Sequence, residues 1–157
     1  MAASTNPAYI DGLKLLARRE LSHAQVRQRL SRRHPAELVD DAIARLIEEG
    51  ALNDERVAEA IARTQISVRG RGRQRVRMEI ERAGIDKALA RRTVDEVFDG
   101  LDDDALLEAA LARRLRGGGG VSSDREFARL YRYLVAEGFD ADRVLASLKR
   151  HRRDEDK

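Results

Sequence analysis

Residues 76–86 read Val76-Arg77-Met78-Glu79-Ile80-Glu81-Arg82-Ala83-Gly84-Ile85-Asp86, and the pattern returns 54 residues later as Leu130-x-x-x-Leu134-x-x-x-Gly138-Phe139-Asp140. Apolar residues four apart, closed by a glycine, mark one face of a helix that stops at a C-terminal cap. The same phrase repeated at long range marks a repeat architecture. An earlier copy, Val26-x-x-x-Leu30, runs into a shorter turn containing Pro35. Another helix of like phase follows each copy, with Ile43, Val94 and Leu148 in equivalent places. The chain is thus expected to form three helix triplets of about 50 residues, each too small to bury much alone and completed by stacking. Their expected bounds are residues 7–50, 51–100 and 101–153.

The rest of the chain falls into helices around this phrase. Ile10, Leu13, Leu16 and Ala17 predict the apolar stripe of a first helix. Ser22 is suited to cap a second, with Val26 and Leu30 inward. Pro35 stands near the start of a third, whose Leu38, Val39, Ile43, Leu46 and Ile47 are expected in the core before Gly50 ends it. Asn53 or Asp54 caps a fourth through Val57, Ala58, Ile61 and Ala62. The fifth carries Val76, Ile80 and Ala83; the sixth carries Leu89, Val94, Val97 and Phe98. Acids at 102–104 favour the positive end of a seventh helix through Leu107 and Leu111. Glycines at 117–120 suggest a flexible hinge over residues 117–123, after which Ser122 or Ser123 restarts the chain. A last helix carries Val144, Leu145 and Leu148. No segment alternates at period two. The expected fold is all-α, an elongated array of three tandem three-helix repeats.

Composition agrees. Hydrophobic residues make up 42% but aromatics only 4%, so the core is aliphatic and suits helix packing better than a sheet. Cysteine is absent, which removes disulfides, thiol nucleophiles and thiolate metal sites. No apolar run approaches the roughly 18 residues of a membrane span, and residues 1–6 are too polar for a signal peptide, so a cytoplasmic protein is expected. The net charge of +3 is modest, but arginine dominates the 31 bases. Its planar fork matches phosphate and carboxylate, although codon bias in a GC-rich genome would give the same preference.

Catalysis finds little support. His23, His34 and His151 lack a second ligand at helical spacing, so surface or capping roles are expected and no metal site. The pairs Asp40-Asp41 and Glu48-Glu49 read as solvated faces rather than as an acid–base couple. Gly70-x-Gly72-x-x-Arg75 begins like a dinucleotide fingerprint, but arginine replaces the third glycine and no strand precedes it. The glycine run at 117–120 lacks the Lys-Ser/Thr of a phosphate loop. No catalytic residue and no cofactor are expected.

One segment survives. Residues 68–77 read VRGRGRQRVR, with arginine at 69, 71, 73, 75 and 77 and no acid among them. Unrelieved like charge beside a helix N-terminus points to an external anion, either phosphate or an acidic protein surface, against the alternative of a solvated face. The expected interaction residues are Arg69, Gly70, Arg71, Gly72, Arg73, Arg75 and Arg77. A second basic group, Lys149, Arg150, Arg152 and Arg153, is a further candidate.

Three passages together resemble the RecX family, regulators of the recombinase RecA. Leu15-Leu16-Ala17-Arg18-Arg19-Glu20-x-Ser22, followed by Val26-Arg27-x-x-Leu30, looks like its opening helix pair. Glu49-Gly50-Ala51-Leu52-Asn53-Asp54-Glu55-Arg56-Val57-Ala58 is similar to its central signature of a glycine, two apolar residues and Asp-Asp-x-Arg-Phe-Ala. Arg69-Gly70-x-Gly72-x-x-Arg75-Val76-Arg77-x-Glu79-Ile80-x-x-x-Gly84-Ile85 resembles its glycine–arginine motif. The family often has an aromatic at the place of Arg71, a proline at Arg73, and Phe or Tyr at Val57. The resemblance covers residues 9–151. It implies a non-enzymatic protein in the groove of the RecA filament on single-stranded DNA, inhibiting ATP hydrolysis and strand exchange in recombination, repair and the SOS response. It also implies weaker contact with single-stranded DNA. A helix-turn-helix regulator is the rival reading, since residues 23–33 resemble a recognition helix; no wing and no obvious dimerisation helix support it, and a monomer is expected.

Overall fold

The computed structural model describes residues 5–115 and 119–152. They form α1 (Pro7–Arg18), α2 (His23–Leu30), α3 (Ala36–Glu48), α4 (Asp54–Ser67), α5 (Arg73–Arg82), α6 (Lys87–Phe98), α7 (Asp103–Arg114), α8 (Asp124–Ala136) and α9 (Ala141–Arg150). The only extended pairing among the described residues is one bridge between Val121 and Arg152. The all-α reading holds, with three helices to each predicted triplet.

The helices start where short polar side chains can satisfy free amides. Ser22 Oγ accepts from Gln25 N at 3.1 Å while Gln25 Oε1 accepts from Ser22 N at 3.0 Å, a reciprocal capping box. Asn53, not Asp54, caps α4, its Oδ1 accepting from Arg56 N at 3.1 Å. Asp102 and Ser123 cap α7 and α8. Pro35 occupies the N-cap of α3 itself.

The repeated phrase resolves into turn chemistry. Gly84 and Gly138 stand at φ +80° and +101°, in the left-handed region that closes a helix and that residues with a Cβ avoid. Ile85 and Phe139 then drop into the core, and the carboxylates of Asp86 and Asp140 accept amides of the next helix.

By packing, the chain divides into two compact units, Met1–Ala60 with Ile80–Thr93 and Ile61–Glu79 with Val94–Lys157. In the first, Ala8, Leu21, Val26, Leu30, Val39, Ile43, Leu46 and Leu52 form the core. The stripe expected on α1 is rotated. Ile10 and Leu13 are exposed, whereas Ala8, Tyr9 and Gly12 are buried. α1 packs on α3, and a Cβ on Gly12 would lie 2.7 Å from Leu46 Cδ1, so this seam needs its smallest residues where helix meets helix. Ile47 is likewise exposed rather than in the core.

Residues expected to be solvated also form ties. Asn6 Nδ2 donates to Leu38 O at 2.9 Å and to Asp41 Oδ2 at 3.0 Å, and Tyr9 Oη donates to Glu49 at 2.5 Å beneath the Arg45 guanidinium. His34 is not a surface residue: its side chain is 12% exposed, with Nε2 2.6 Å from Asp11 Oδ2.

The second unit has a core of Leu107, Leu111, Val121, Leu130, Leu134, Phe139, Val144 and Leu148. Glu108 on α7 gathers Ser147 Oγ at 2.6 Å, Arg150 Nη2 at 2.8 Å and His151 Nε2 at 2.6 Å around its carboxylate. Burial pushes this carboxyl up, but the three hydrogen bonds outweigh it and hold the group down at about 2. Gly117 and Gly118 of the expected hinge lie outside the described residues. Val121, within the same expected segment, is buried, and its amide donates to His151 O at 2.8 Å. That part is pinned.

Candidate functional site

The basic segment begins where α4 ends. Gly70 N donates to Ile66 O at 3.1 Å and Arg71 N to Gln65 O at 3.0 Å, so the connection to α5 is a hydrogen-bonded turn. The chain then meets the end of α8. Gly72 N donates to Glu137 O at 2.9 Å and Gln74 N to Gly138 O at 3.2 Å. A Cβ on Gly72 would lie 2.7 Å from Gly138 O, so glycine is what lets the two backbones touch. Two of the amides at the start of α5, those of Gly72 and Gln74, are therefore taken by carbonyls from the end of α8.

The absence of local acids is also made good from a distance. Arg71, whose side chain is 18% exposed, donates from Nη1 to Gln65 Oε1 at 2.7 Å and lies 3.8 Å from Glu79 and 3.6 Å from Glu137. Arg75 Nε donates to Glu79 Oε1 at 2.9 Å, with Nη1 3.3 Å from Ala136 O. Arg73 Nε sits 3.0 Å from Asp103 Oδ2, its guanidinium 5.0 Å from the Phe98 ring centre. Arg77 donates to Gln74 Oε1 at 2.9 Å and keeps a buried Nε without a hydrogen-bond partner. The premise of unrelieved charge fails for Arg71, Arg73 and Arg75. Burying part of a guanidinium is tolerable only when it is paired, and the carboxylates arrive from α5 itself, α7 and the end of α8.

Arg69 is different. It is exposed and has no ion pair among the described residues. The last turn of α7 brings Arg113 onto the same turn, its guanidinium lying against Gly70 where any side chain would collide with it. Arg113 is exposed as well, and the sequence reading missed it because 43 residues separate it from Gly70. In the second basic group Arg150 is held by Glu108 and Arg152 by Asp124, Lys149 is exposed, and Arg153 lies outside the described residues.

The same joint occurs in the first unit. Ser22 Oγ donates to Ala83 O, and a Cβ on Gly84 would lie 2.5 Å from Ala24 Cβ. The start of α2 thus meets the end of α5 as the start of α5 meets the end of α8.

This arrangement matches known families. A model described as RecX, first three-helix domain, matches residues 8–46, and RecX, second three-helix domain, matches residues 53–94. A Regulatory protein RecX from Halorhodospira halophila is 37% identical over 137 residues, covering 86% of this chain and 82% of that protein. The chain belongs to the RecX family. A second RecX, from Chromohalobacter salexigens, is 33% identical over 85% of this chain and 86% of its own length. The crystal structure of RecX from Lactobacillus salivarius superposes with a TM-score of 0.69 at 20% identity, over 90% of this chain and 94% of that one, which speaks for the fold. Within the RecX signature at 49–58, Arg56 has a structural duty. Its guanidinium donates to Gly50 O and Ala51 O, each at 3.1 Å, and to Glu20 at 2.9 Å, clamping the turn between α3 and α4. Among the described residues there is no cluster of three potential metal ligands and no helix long and apolar enough to cross a membrane.

Proposed function

We propose that this member of the family regulates the RecA recombinase by lying along the RecA–single-stranded DNA filament, where it inhibits ATP hydrolysis and strand exchange. It acts in the cytoplasm as a monomeric binding protein without catalysis of its own. The family membership carries this reading, and the described surface supports it. A backbone-to-backbone joint fixes a turn that leaves Arg69 and Arg113 exposed while their neighbours are neutralised internally. Arg69, Arg77 and Lys149, with Arg113, are the partner-facing cations. Gly70, Gly72, Arg71, Arg73 and Arg75 shape the turn that presents them. The aromatics near α8 do not form a stacking platform, since Phe127, Tyr131 and Tyr133 pack against the core and Arg114 covers Tyr133 at 3.8 Å.

The test is the single-stranded-DNA-dependent ATPase of the cognate recombinase with this protein titrated in. Sub-stoichiometric depression is expected, weakened in Arg69→Gln/Arg113→Gln. A sharp footprint on one duplex sequence, with no effect on the ATPase, overturns the reading in favour of a transcriptional regulator.

A further inference from the structure

A basic site distinct from the glycine–arginine motif and from the C-terminal basic group lies in the first unit. Asp11, Lys14, Leu15 and Arg18 fall at helical spacing on one stripe of α1. They face Arg29, Leu30, Arg32, Arg33 and His34 from the end of α2 and the turn beyond it, around a cleft of about 420 Å³. That volume is within the range of about 300–1,000 Å³ typical of ligand sites. Among the described residues none of Lys14, Arg18, Arg29, Arg32 and Arg33 has a carboxylate in ion-pair contact. The single acid of the cleft, Asp11, is engaged by His34 Nε2 at 2.6 Å. This contrasts with Arg71 and Arg73, whose counter-charges Glu137 and Asp103 come from elsewhere in the fold.

Cations at helix C-termini are compensated in part by the helix dipole. Each helix end is worth about half a negative charge, so even two such ends together with Asp11 would leave about three positive charges uncompensated. Crowding cations into a concavity without counter-charge is unfavourable unless an anion occupies it. The lining also says which anion. Its one aromatic ring, the His34 imidazole, is tied to Asp11, and apart from Leu15 and Leu30 it has no apolar side chain to anchor a protein partner. What remains is a set of forked donors suited to phosphate oxygens.

We propose that the cleft between α1 and the α2–α3 turn is a phosphate site for the backbone of single-stranded nucleic acid, held by Arg18, Arg29, Arg32 and Arg33. It deepens the functional reading above by giving the protein a direct nucleic-acid contact, and its test omits the recombinase so that the two ideas fail separately.

The experiment is fluorescence anisotropy of a labelled 20-nucleotide single strand against salt concentration. Wild type is compared with Arg18→Gln/Arg32→Gln and with Lys87→Gln/Arg91→Gln, an equal charge loss at exposed positions on α6. The cleft pair is expected to bind at least tenfold more weakly at 50 mM salt, with the slope of log affinity on log salt shallower by about 1.4 for two lost phosphate contacts. The α6 pair should stay within threefold, and Arg18→Lys/Arg32→Lys should keep the wild-type slope. Equal losses in both glutamine pairs would mean diffuse attraction and overturn the site. So would unchanged oligonucleotide affinity in the cleft pair. If inorganic pyrophosphate then raises the wild-type melting temperature, the cleft holds free phosphate instead.

Discussion

The amide of Gly72 donates to the carbonyl of Glu137 at 2.9 Å, joining the helix start that bears the arginine run to the end of a helix 65 residues further on. This seam explains why a glycine–arginine segment can be structural and cationic at once. Its glycines admit the neighbouring backbone, and its arginines close over the seam by pairing with acids on both sides. A side chain at position 72 would meet Gly138 O at 2.7 Å, and a carbonyl fixed in a helix cap cannot give way cheaply. Gly72→Ala is therefore expected to destabilise the protein by about 2–3 kcal/mol in urea unfolding. Gly100→Ala, where no atom lies within 4 Å of the added Cβ and only the φ of +82° opposes it, should cost about 1–2 kcal/mol. Equal effects at the two positions would argue against the seam.

Arg71 and Glu137 should be coupled. Their contact at 3.6 Å is more than four-fifths screened from solvent on both sides, so a double-mutant cycle with Arg71→Ala and Glu137→Gln is expected to give about 1–2 kcal/mol. Arg69→Ala, at an exposed site, should shift stability by less than about 0.5 kcal/mol. Thermal or urea denaturation checks both. A coupling indistinguishable from zero would return Arg71 to the list of free cations.

Acid stability should report Glu108. Its folded pKa, held at about 2, lies below the ordinary carboxyl value, so its contribution is fully present above pH about 4.5 and is lost as pH falls through about 2. The side chain is 35% exposed, so screening limits the contribution to about 1–2 kcal/mol. Glu108→Gln is expected to unfold more readily than wild type at pH 7, with the gap closing between pH about 4.5 and 2. A gap that stays constant down to pH 2 would show that the carboxylate charge is not what stabilises the α7–α9 contact.

The seam between α1 and α3 gives a steric test. Leu46 is fully buried and its Cδ1 would lie 2.7 Å from a Cβ at position 12. Gly12→Val should cost about 2–3 kcal/mol by overpacking, whereas Leu13→Ala, at a residue 36% exposed, should cost about 1 kcal/mol or less. Melting temperatures of the two variants separate the outcomes. The reverse order would restore the stripe predicted from hydrophobicity alone.

Local chemistry is what the sequence by itself determined. Apolar spacing, Gly84 and Gly138 as helix stops, and Ser22, Asp102 and the Asn53–Asp54 pair at helix starts settled the all-α repeat, because each signal acts within a few residues of its own backbone. The order of the motifs was enough to indicate RecX. What only the tertiary structure decided involves partners far apart in sequence. Gly12, with no side chain, cannot announce that it faces Leu46, so the α1 stripe was read in the wrong phase. Glu137 and Asp103 neutralise arginines whose neighbours in the chain contain no acid before Glu79, so the run looked uncompensated. Lys14, Arg18, Arg29, Arg32 and Arg33 look unremarkable along the chain, and become a site only when α1 and the α2–α3 turn enclose one cleft. Charge is legible one residue at a time, but its compensation is a property of three-dimensional neighbours.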